Sequence, residues 1–291
     1  MKILVTGATG FLGSHVVKGL LQRNHQVIGT KRSLSNTKRI QHLLPQIITY
    51  NLDECGVDLI FEEHRQIDAV IHMATNYGRN NDNVSDIFEA NTYFPLRLLE
   101  QSIHAKVKSF INTDTILEKF LNPYSLSKKQ FTEWGKVLTA RSETRFVNVL
   151  LEHMYGPGDD PSKFSTHVLR SVMNNVAELK LTKGEQKRDF IYIDDVVSAL
   201  LLLAEKTQEM SGNYLEYELG SGEAISIRDL VETMHRITNS KTKLLFGALP
   251  YRTNEVMHSS ANIDALQSLG WKCNTGLESG IKRMVEKENE L

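Results

Sequence analysis

The sequence lacks the features that typify secreted, membrane-spanning and nucleic-acid-binding proteins. Only two of its 291 residues are cysteines, and Cys55 and Cys273 lie too far apart to suggest a metal site or a redox pair. The longest apolar run, 196–204, is too short to span a bilayer. The net charge of -1 gives no broad attraction to nucleic acid or to an anionic membrane. An anionic ligand would therefore have to be held by a few local cations.

Composition and the first residues indicate the compartment. Hydrophobic residues make up 41% of the chain and charged residues 24%, as in ordinary core-forming proteins. The first predicted strand follows Met1 directly and leaves no place for a signal peptide. Because the two cysteines form no predicted disulfide, a reducing compartment is expected. These features predict a cytoplasmic protein.

Three regularly spaced glycines follow the first predicted strand. Ile3 to Val5 is a short apolar run typical of a buried parallel strand, and Gly7, Gly10 and Gly13 come next. Residues 14–21 then place apolar side chains at helical spacing. In a strand–turn–helix unit, such glycines let the backbone approach a pyrophosphate that the helix N-terminus binds. A dinucleotide site is predicted; the alternative is an ordinary connection between strand and helix.

The end of the second predicted strand indicates which dinucleotide is bound. Residues 26–30 form this strand, and an acidic residue after it would bind the ribose 2′-hydroxyl of NAD. The chain instead has Lys31 and Arg32, with Lys38 and Arg39 further on. Since cationic side chains suit the 2′-phosphate of NADP, NADP(H) is the predicted cofactor. The alternative is a solvated basic loop.

Strands and helices alternate through the first half of the chain. Further strands are predicted at 47–50, 67–72, 107–112 and 146–150, and helices at 84–105 and 123–139. Pro95 is expected to kink the first of these helices, because its ring clashes with the carbonyl of Asn91. The alternation predicts an α/β fold with a doubly wound parallel sheet of the Rossmann type.

The second half changes character after a turn-rich break at 155–159, where a smaller mixed C-terminal substrate lobe is expected to begin. The predicted dinucleotide-binding domain covers 1–154, and 189–206 is expected to return to it. The predicted substrate-binding lobe covers 155–188 and 207–291.

A tyrosine and a lysine at helical spacing are candidate catalytic residues. Tyr124 and Lys128 lie four residues apart at the start of a predicted helix, so their side chains share one face. A free tyrosine has a pKa of about 10, and a nearby ammonium would lower it toward the range useful for proton transfer. Thr113, at the end of the fifth predicted strand, supplies a hydroxyl that can polarise the same carbonyl oxygen. The three residues predict carbonyl reduction; the alternative for the Tyr–Lys spacing alone is a solvated helix face.

Together these motifs resemble those of the short-chain dehydrogenase/reductase superfamily. Thr6 followed by the Gly-x-x-Gly-x-x-Gly spacing is similar to its extended branch, which acts on nucleotide sugars. Thr113, Tyr124 and Lys128 match its catalytic triad in the same order. A closer resemblance, to the family of CDP-abequose and CDP-paratose synthases, rests on the segments 71–78, 112–114, 151–156, 184–190, 220–226 and 252–257.

The resemblance implies further contacts with cofactor and substrate. The implied cofactor-binding residues are Gly7, Thr9, Gly10, Phe11, Leu12, Gly13, Lys31, Arg32, Asn51, Leu52, Ala74, Thr75 and Lys128. The implied substrate-binding residues are Asp114, Thr115, His153, Lys163, Arg188, Arg252 and Glu255, and the arginines would hold a diphosphate. The backbone carbonyl of Asn91, freed by the kink, would bind a water that leads to Lys128.

The implied activity is an NADP-dependent 4-ketoreductase for nucleotide sugars. Relatives that dehydrate sugars have Asp-Glu at the positions of Asp114 and Thr115. This chain has Thr115 in place of the glutamate, so the base for dehydration is missing. The implied substrate is a CDP-4-keto-3,6-dideoxyhexose, reduced to CDP-abequose or CDP-paratose for surface polysaccharide such as the O-antigen of lipopolysaccharide. The alternatives are an epimerase that retains NAD and a non-catalytic NADP-sensing protein. A homodimer through the helices that start near Val84 and Pro123 is expected, with no nucleic-acid, membrane or metal partner.

Overall fold

A seven-stranded sheet forms the centre of the fold in the computed structural model, which describes residues 1–79 and 82–289. The order of its strands is β10-β6-β5-β4-β1-β2-β3, and the pairs β1–β2, β1–β4, β2–β3 and β4–β5 are parallel. The predicted Rossmann-type fold is therefore confirmed. The strands are β1 Lys2–Thr6, β2 Gln26–Lys31, β3 Ile48–Asn51, β4 Ala69–His72, β5 Ser109–Thr115, β6 Arg145–Leu151 and β10 Tyr214–Leu219.

The connections between these strands carry most of the helices, as right-handed crossovers require. They are α1 Phe11–Gln22, α2 Val57–Glu63, α3 Val84–Phe88, α4 Phe94–His104 and α5 Pro123–Thr139, followed later by α7 Ile193–Lys206. Short 3₁₀ turns occur at Leu44–Gln46 and Thr207–Glu209. Within residues 1–79 and 82–289, no helix combines the length and the apolar character that a membrane crossing needs.

An aromatic cluster holds α5 against the sheet. Phe110 of β5 and Phe146 of β6 are stacked with ring centroids 5.7 Å apart, and Phe131 of α5 meets both rings edge-on. All three side chains are fully buried. Gly135 lets the helix come this close, because a Cβ there would lie 2.5 Å from the Phe146 ring. Since α5 carries Tyr124 and Lys128, this packing fixes the helix that bears the predicted catalytic pair.

The predicted helix at 84–105 is interrupted rather than simply kinked. A π-helical turn, Glu89–Tyr93, separates α3 from α4. Pro95 lies in the first turn of α4, where a missing amide hydrogen is tolerated. The wider turn avoids the clash between the proline ring and the Asn91 carbonyl that an unbroken α-helix would produce.

The chain divides into two units. The first comprises Met1–Leu150 and Val197–Tyr217, and the second comprises Leu151–Val196 and the chain from Glu218 onward. The second unit has a three-stranded sheet, in the order β11-β9-β7, and a parallel pair, β12-β8. Its elements are β7 His153–Tyr155, β8 Glu178–Leu181, β9 Lys187–Tyr192, β11 Ala224–Ser226, β12 Lys243–Phe246, α6 Phe164–Met173, α8 Ile227–Ile237, α9 Asp264–Ser268 and α10 Leu277–Asn289.

Strand β9 differs from the sequence prediction, which returned 189–206 to the dinucleotide-binding domain. It pairs with β7 and β11 instead of joining the seven-stranded sheet, and the chain re-enters the first unit at Val197. The apolar run Phe190 to Tyr192 is buried as predicted, but such a run does not indicate which sheet receives the strand.

Candidate active site

The turn between β1 and α1 depends on contacts that only glycine allows. Gly7 has a φ of +70°, and a Cβ there would lie 2.8 Å from the Ala74 amide nitrogen. A Cβ at Gly13 would lie 2.0 Å from the Gly7 carbonyl oxygen. The glycine spacing is therefore required by the turn itself, which packs against the start of α1 and against the loop after β4.

The N-terminus of α1 is suited to an anion. Gly10 is its N-cap residue, and no side chain caps it within the described chain. The first turn contains no acidic residue, and its amides have no acceptor within the helix. Thr9 precedes this cap, while Phe11 and Leu12 begin the helix. These features fit a dinucleotide pyrophosphate.

The predicted adenosine end of the site contains an ordered basic residue and an exposed one. Lys31 pairs in register with Asn51, and its Nζ donates to Asn51 Oδ1 at 2.5 Å. The Leu52 amide donates to the Lys31 carbonyl at 2.8 Å. Arg32 is exposed. The structure therefore brings Lys31, Asn51 and Leu52 together and leaves the Arg32 guanidinium accessible to a phosphate.

An acidic residue that the sequence argument did not use lies next to these cations. The Asp53 carboxylate accepts hydrogen bonds from the Ser33 amide, at 2.7 Å, and from the Ser33 hydroxyl. These bonds, together with the charge of Lys31, lower the pKa of Asp53. A preference between NAD and NADP at this end would therefore depend on the opposing charges of Lys31, Arg32 and Asp53.

The loop after β4 is tied to β1 and to the π turn. Thr6 Oγ1 accepts from the amides of Met73, at 3.1 Å, and Ala74, at 3.3 Å. Asn91 Oδ1 accepts from the Thr75 hydroxyl at 3.0 Å, and Asn91 Nδ2 donates to Ser127 Oγ at 3.0 Å. Thus the Asn91 side chain joins the loop after β4 to α5, in addition to the role that the resemblance implies for its backbone carbonyl.

The three predicted catalytic residues lie in the first unit. Thr113 is almost buried near the end of β5, and its hydroxyl donates to the His72 carbonyl at 3.0 Å. Tyr124 and Lys128 lie in the first two turns of α5, whose N-terminus is closed by a capping box between Asn122 and Ser125. Lys128 is 1% exposed, and its Nζ has no hydrogen-bond partner among the described residues. A buried ammonium without a partner fits a role in holding ribose hydroxyls.

The electrostatic environment of Tyr124 differs from the prediction. Burial raises its pKa well above 10, and Tyr77 and Asp114 raise it further, while a hydrogen bond with Thr115 and the charge of Arg79 lower it. The net shift is opposite to the predicted lowering by Lys128, because desolvation of the phenolate dominates. Tyr124 is therefore held as a phenol that can donate its proton.

Burial also acts on the neighbouring bases. It lowers the pKa of Lys128 to about 8; the charge of Asp114 raises this pKa, and that of Lys129 lowers it. His72 is fully buried, and burial followed by the charge of Lys128 lowers its pKa well below its usual range. His72 is thus neutral, and its Nδ1 lies 2.8 Å from Thr6 Oγ1, as expected of a structural histidine.

The second unit contains the remaining implied substrate residues, several of which are already paired. Arg188 donates to Glu255 at 2.7 Å, and Lys163 forms an ion pair with Asp159 at 3.0 Å. Arg252 is exposed. Burial lowers the pKa of Arg188, while Glu255 and Glu152 raise it. The structure therefore brings Arg188 and Glu255 together and leaves Arg252 on the surface.

His153 is oriented by a carboxylate that the sequence argument did not assign. Glu152 has no exposed side-chain surface, and its Oε2 lies 3.0 Å from His153 Nδ1. The other Glu152 oxygen accepts from the Ser259 hydroxyl. His153 is packed against Phe190, with ring centroids 5.7 Å apart.

Known proteins are similar to this chain over nearly its whole length. The profile of the NAD dependent epimerase/dehydratase family matches residues 3–220. The chain belongs to this family. CDP-abequose synthase of Salmonella muenchen is 34% identical over 98% of this chain and 97% of its own length. The UDP-glucose 4-epimerase of Thermotoga maritima, solved with UDP-glucose, superposes with a TM-score of 0.87 and 25% identity, covering 100% of this chain and 99% of the epimerase.

A further solved structure supports the fold of the family. MoeE5, in complex with UDP-glucuronic acid and NAD, has a TM-score of 0.84 and 24% identity, and the match covers 100% of this chain and 99% of MoeE5. As a member of this family, the chain is an enzyme that modifies nucleotide sugars with a nicotinamide cofactor.

The side chains of Asp114 and Thr115 have different partners. The Asp114 carboxylate has no exposed surface, and it binds Thr132 Oγ1 at 2.9 Å and Lys129 Nζ at 3.2 Å. Thr115 instead hydrogen-bonds the Tyr124 side chain. Asp114 is thus directed into the protein, and Thr115 lies beside the predicted proton donor.

Proposed function

We propose that this enzyme is an NADPH-dependent nucleotide-sugar 4-ketoreductase. The observation that carries the proposal is the buried, unpartnered ammonium of Lys128 one helical turn after Tyr124, in a chain that is similar over almost its full length to a CDP-abequose synthase. The substrate in this proposal is a CDP-4-keto-3,6-dideoxyhexose, and the product is CDP-abequose or CDP-paratose for surface polysaccharide, such as the O-antigen of lipopolysaccharide.

The cofactor in this proposal is held by the first unit. The N-terminus of α1 would bind its pyrophosphate, while Asn51, Leu52, Ala74 and Thr75 would line the adenosine and nicotinamide ends. Lys31 and Arg32 would bind the 2′-phosphate of NADP. When bound, the nicotinamide would supply a hydride to the C4 carbonyl carbon of the sugar.

The side chains of Thr113, Tyr124 and Lys128 would carry out the proton transfer. Tyr124 donates its phenolic proton to the carbonyl oxygen as the hydride arrives, and its raised pKa keeps that proton in place until then. Thr113 turns its hydroxyl from the His72 carbonyl toward the substrate oxygen and so polarises it. Lys128 stabilises the phenolate that Tyr124 leaves behind and holds the nicotinamide ribose.

The substrate diphosphate would be bound by cations of the second unit. Arg252 is exposed, and Arg188 is pre-positioned by its ion pair with Glu255. His153, oriented by Glu152, supplies a ring nitrogen that can bond the nucleotide sugar. Lys163 and Thr115 complete the proposed substrate contacts.

An exposed apolar face supports a homodimer. Val84 and Phe88 of α3 and Phe120 before α5 are 66%, 46% and 82% exposed, and they line a groove of about 520 Å³. Val137, further along α5, is 68% exposed. Exposed apolar side chains that line one groove are found at protein interfaces, and a second copy of the chain is the proposed occupant.

The free cysteines Cys55 and Cys273 are consistent with the reducing cytoplasm.

The alternative is an epimerase that returns the hydride to the same substrate. The similarity to UDP-glucose 4-epimerase favours it, and the same triad serves both reactions. The two functions differ in whether cofactor is consumed. Turnover of a CDP-4-keto sugar with one NADPH oxidised per product supports the reductase, whereas interconversion of C4 epimers of a 4-hydroxy nucleotide sugar, with no net change of the bound cofactor, supports the epimerase.

A further inference from the structure

A buried carboxylate holds the ring of His153. Glu152 lies between β6 and β7, and its side chain has no exposed surface. Its Oε2 lies 3.0 Å from His153 Nδ1, and its Oε1 accepts a hydrogen bond from the Ser259 hydroxyl. Because a carboxylate has no hydrogen to donate, Nδ1 must carry the hydrogen of its bond with Glu152. Nε2 is therefore the ring nitrogen that His153 can offer to a ligand.

The ring of His153 remains accessible on one face of the three-stranded sheet. Its side chain is 40% exposed, although the ring packs against Phe190 with centroids 5.7 Å apart. His153 and Phe190 are paired in register on β7 and β9. Arg188 lies two residues before Phe190 on β9, so it shares the same face of the sheet. The accessible ring of His153 and the Arg188 guanidinium therefore belong to one surface.

The loop that carries Arg252 is fastened beside this surface at two points. Its Glu255 carboxylate accepts from Arg188 at 2.7 Å, and its Ser259 hydroxyl donates to Glu152. The Arg252 carbonyl accepts from the Glu255 amide at 3.1 Å, so Arg252 lies one turn before the first of these points. Glu152 thus contacts both the ring of His153 and the loop of Arg252.

We propose that Glu152 is a positioning residue, which fixes the hydrogen of His153 on Nδ1 and presents Nε2 to the nucleotide diphosphate that Arg188 and Arg252 would bind. The contact between Nε2 and the nucleotide rests on the proposed function, whereas the position of the hydrogen does not. A ring that is already held in one orientation and one tautomer loses less freedom when a ligand binds. Glu152 would therefore act on affinity through His153.

A purely structural role for Glu152 would be to clamp the loop through Ser259. Two variants separate this role from the proposed one. Ser259→Ala removes the clamp and leaves the bond between Glu152 and His153. His153→Phe removes both ring nitrogens and leaves the bond between Glu152 and Ser259. If Glu152 acts through the ring, His153→Phe should affect ligand binding and Ser259→Ala should not.

The position of the hydrogen can be read by NMR in protein labelled with ¹⁵N-histidine. The His153 signals are assigned by their loss in His153→Phe. At alkaline pH, where the imidazole is neutral, Nδ1 of the unmodified protein is expected to carry the hydrogen and Nε2 the lone pair. Ser259→Ala should keep this form, and Glu152→Leu should lose it because the acceptor is gone. A hydrogen on Nε2 in the unmodified protein overturns the proposal, and this measurement does not require Glu152→Leu to fold.

The affinity for CDP, measured by calorimetry, tests whether Glu152 acts through His153. Loss of one hydrogen bond should weaken Kd roughly two- to tenfold in His153→Phe and in Glu152→Leu. The double variant should bind no more weakly than either single variant, because both changes remove the same contact. Ser259→Ala should bind CDP as the unmodified protein does.

Three results would overturn the proposal while nucleotide binding itself persists. They are losses that add in the double variant, an unchanged Kd in His153→Phe, and equal losses in Ser259→Ala and Glu152→Leu. If the unmodified protein binds no CDP, the contact with the nucleotide and the proposed function are both overturned, and the NMR measurement alone decides whether Glu152 orients His153. Thermal unfolding of each variant shows whether it is folded.

Discussion

The ring of Tyr77 lies against the ring of Tyr124, with centroids 5.1 Å apart and planes inclined by 35°. The Arg79 guanidinium is 4.8 Å from the centroid of the Tyr77 ring. The loop that carries them is fastened at Asn76, whose amide donates to Asn91 Oδ1 at 2.8 Å and whose carbonyl accepts from Asn91 Nδ2 at 2.8 Å. The proposed proton donor is thus partly covered by an aromatic residue that the π turn holds in place.

Replacing Tyr77 should change the pH dependence of the reaction. Burial and Tyr77 both raise the pKa of Tyr124, so Tyr77→Ala should lower it. Since Tyr124 donates a proton, activity is present below this pKa and lost above it, and the alkaline loss of kcat should begin at lower pH in Tyr77→Ala. Tyr77→Phe keeps the covering ring but removes the Tyr77 hydroxyl, so it separates the effect of burial from the effect of the Tyr77 charge. An identical pH profile in the unmodified protein and Tyr77→Ala would refute the covering role.

Tyr124 and Lys128 should differ in their effects on cofactor binding. Tyr124→Phe removes only the proton donor, so kcat should fall by about 10²–10⁴-fold while NADPH affinity is largely kept. Lys128→Met should reduce both, because the ammonium also holds the ribose. Fluorescence titration with NADPH and steady-state kinetics measure the two effects. Lys136→Met, an exposed change on the same helix, is the control. A near-normal kcat in Tyr124→Phe would show that another acid donates the proton to the carbonyl oxygen.

Cofactor preference should depend on Arg32. If its guanidinium binds the 2′-phosphate, kcat/KM with NADPH should exceed that with NADH, and Arg32→Asp should narrow or reverse the ratio. The negative charge of Asp53 opposes binding of the 2′-phosphate, so Asp53→Asn should increase the ratio of kcat/KM with NADPH to kcat/KM with NADH. Arg65→Asp, an exposed change after α2, should have no effect. Equal or higher kcat/KM with NADH in the unmodified protein would contradict the NADP assignment.

The arginines of the second unit should determine the affinity for the nucleotide diphosphate. Removing one charge-assisted partner costs about 1.5–3 kcal/mol, or roughly ten- to a hundredfold in Kd. Calorimetric titration of CDP into Arg188→Ala and Arg252→Ala should show this loss. Arg236→Ala, which removes an exposed ion pair with Glu278, is the control. Unchanged CDP affinity in both variants would exclude these residues from the diphosphate site.

The local patterns predicted much of the fold because each depends on neighbours in sequence. The glycine spacing is required by close backbone contacts at Gly7 and Gly13, and the apolar runs became the buried strands β1, β4 and β5. The partner of β9 could not be predicted in this way. A buried strand has the same apolar run in either sheet, and only long-range pairing selects between them.

The electrostatics of the site depended on tertiary contacts that the sequence does not display. Tyr124 and Lys128 at helical spacing suggested a lowered phenol pKa, but burial and the charges of Tyr77 and Asp114 raise this pKa instead. The family resemblance implied a substrate contact for Asp114, whereas Lys129 and Thr132 bind its carboxylate inside the protein. The one available signal was Lys129 next to the buried Lys128, since a largely buried cation requires a counter-charge.

In the proposed reaction the enzyme consumes NADPH as it reduces a nucleotide-sugar ketone. The most direct measurement is to incubate it with a CDP-4-keto-3,6-dideoxyhexose and NADPH, following cofactor oxidation by absorbance and the sugar product by NMR. One NADPH should be oxidised for each C4 carbonyl converted to a hydroxyl, and Tyr124→Phe should be inactive in the same assay. A product formed without net oxidation of NADPH, or no reduction of the C4 carbonyl, would contradict it.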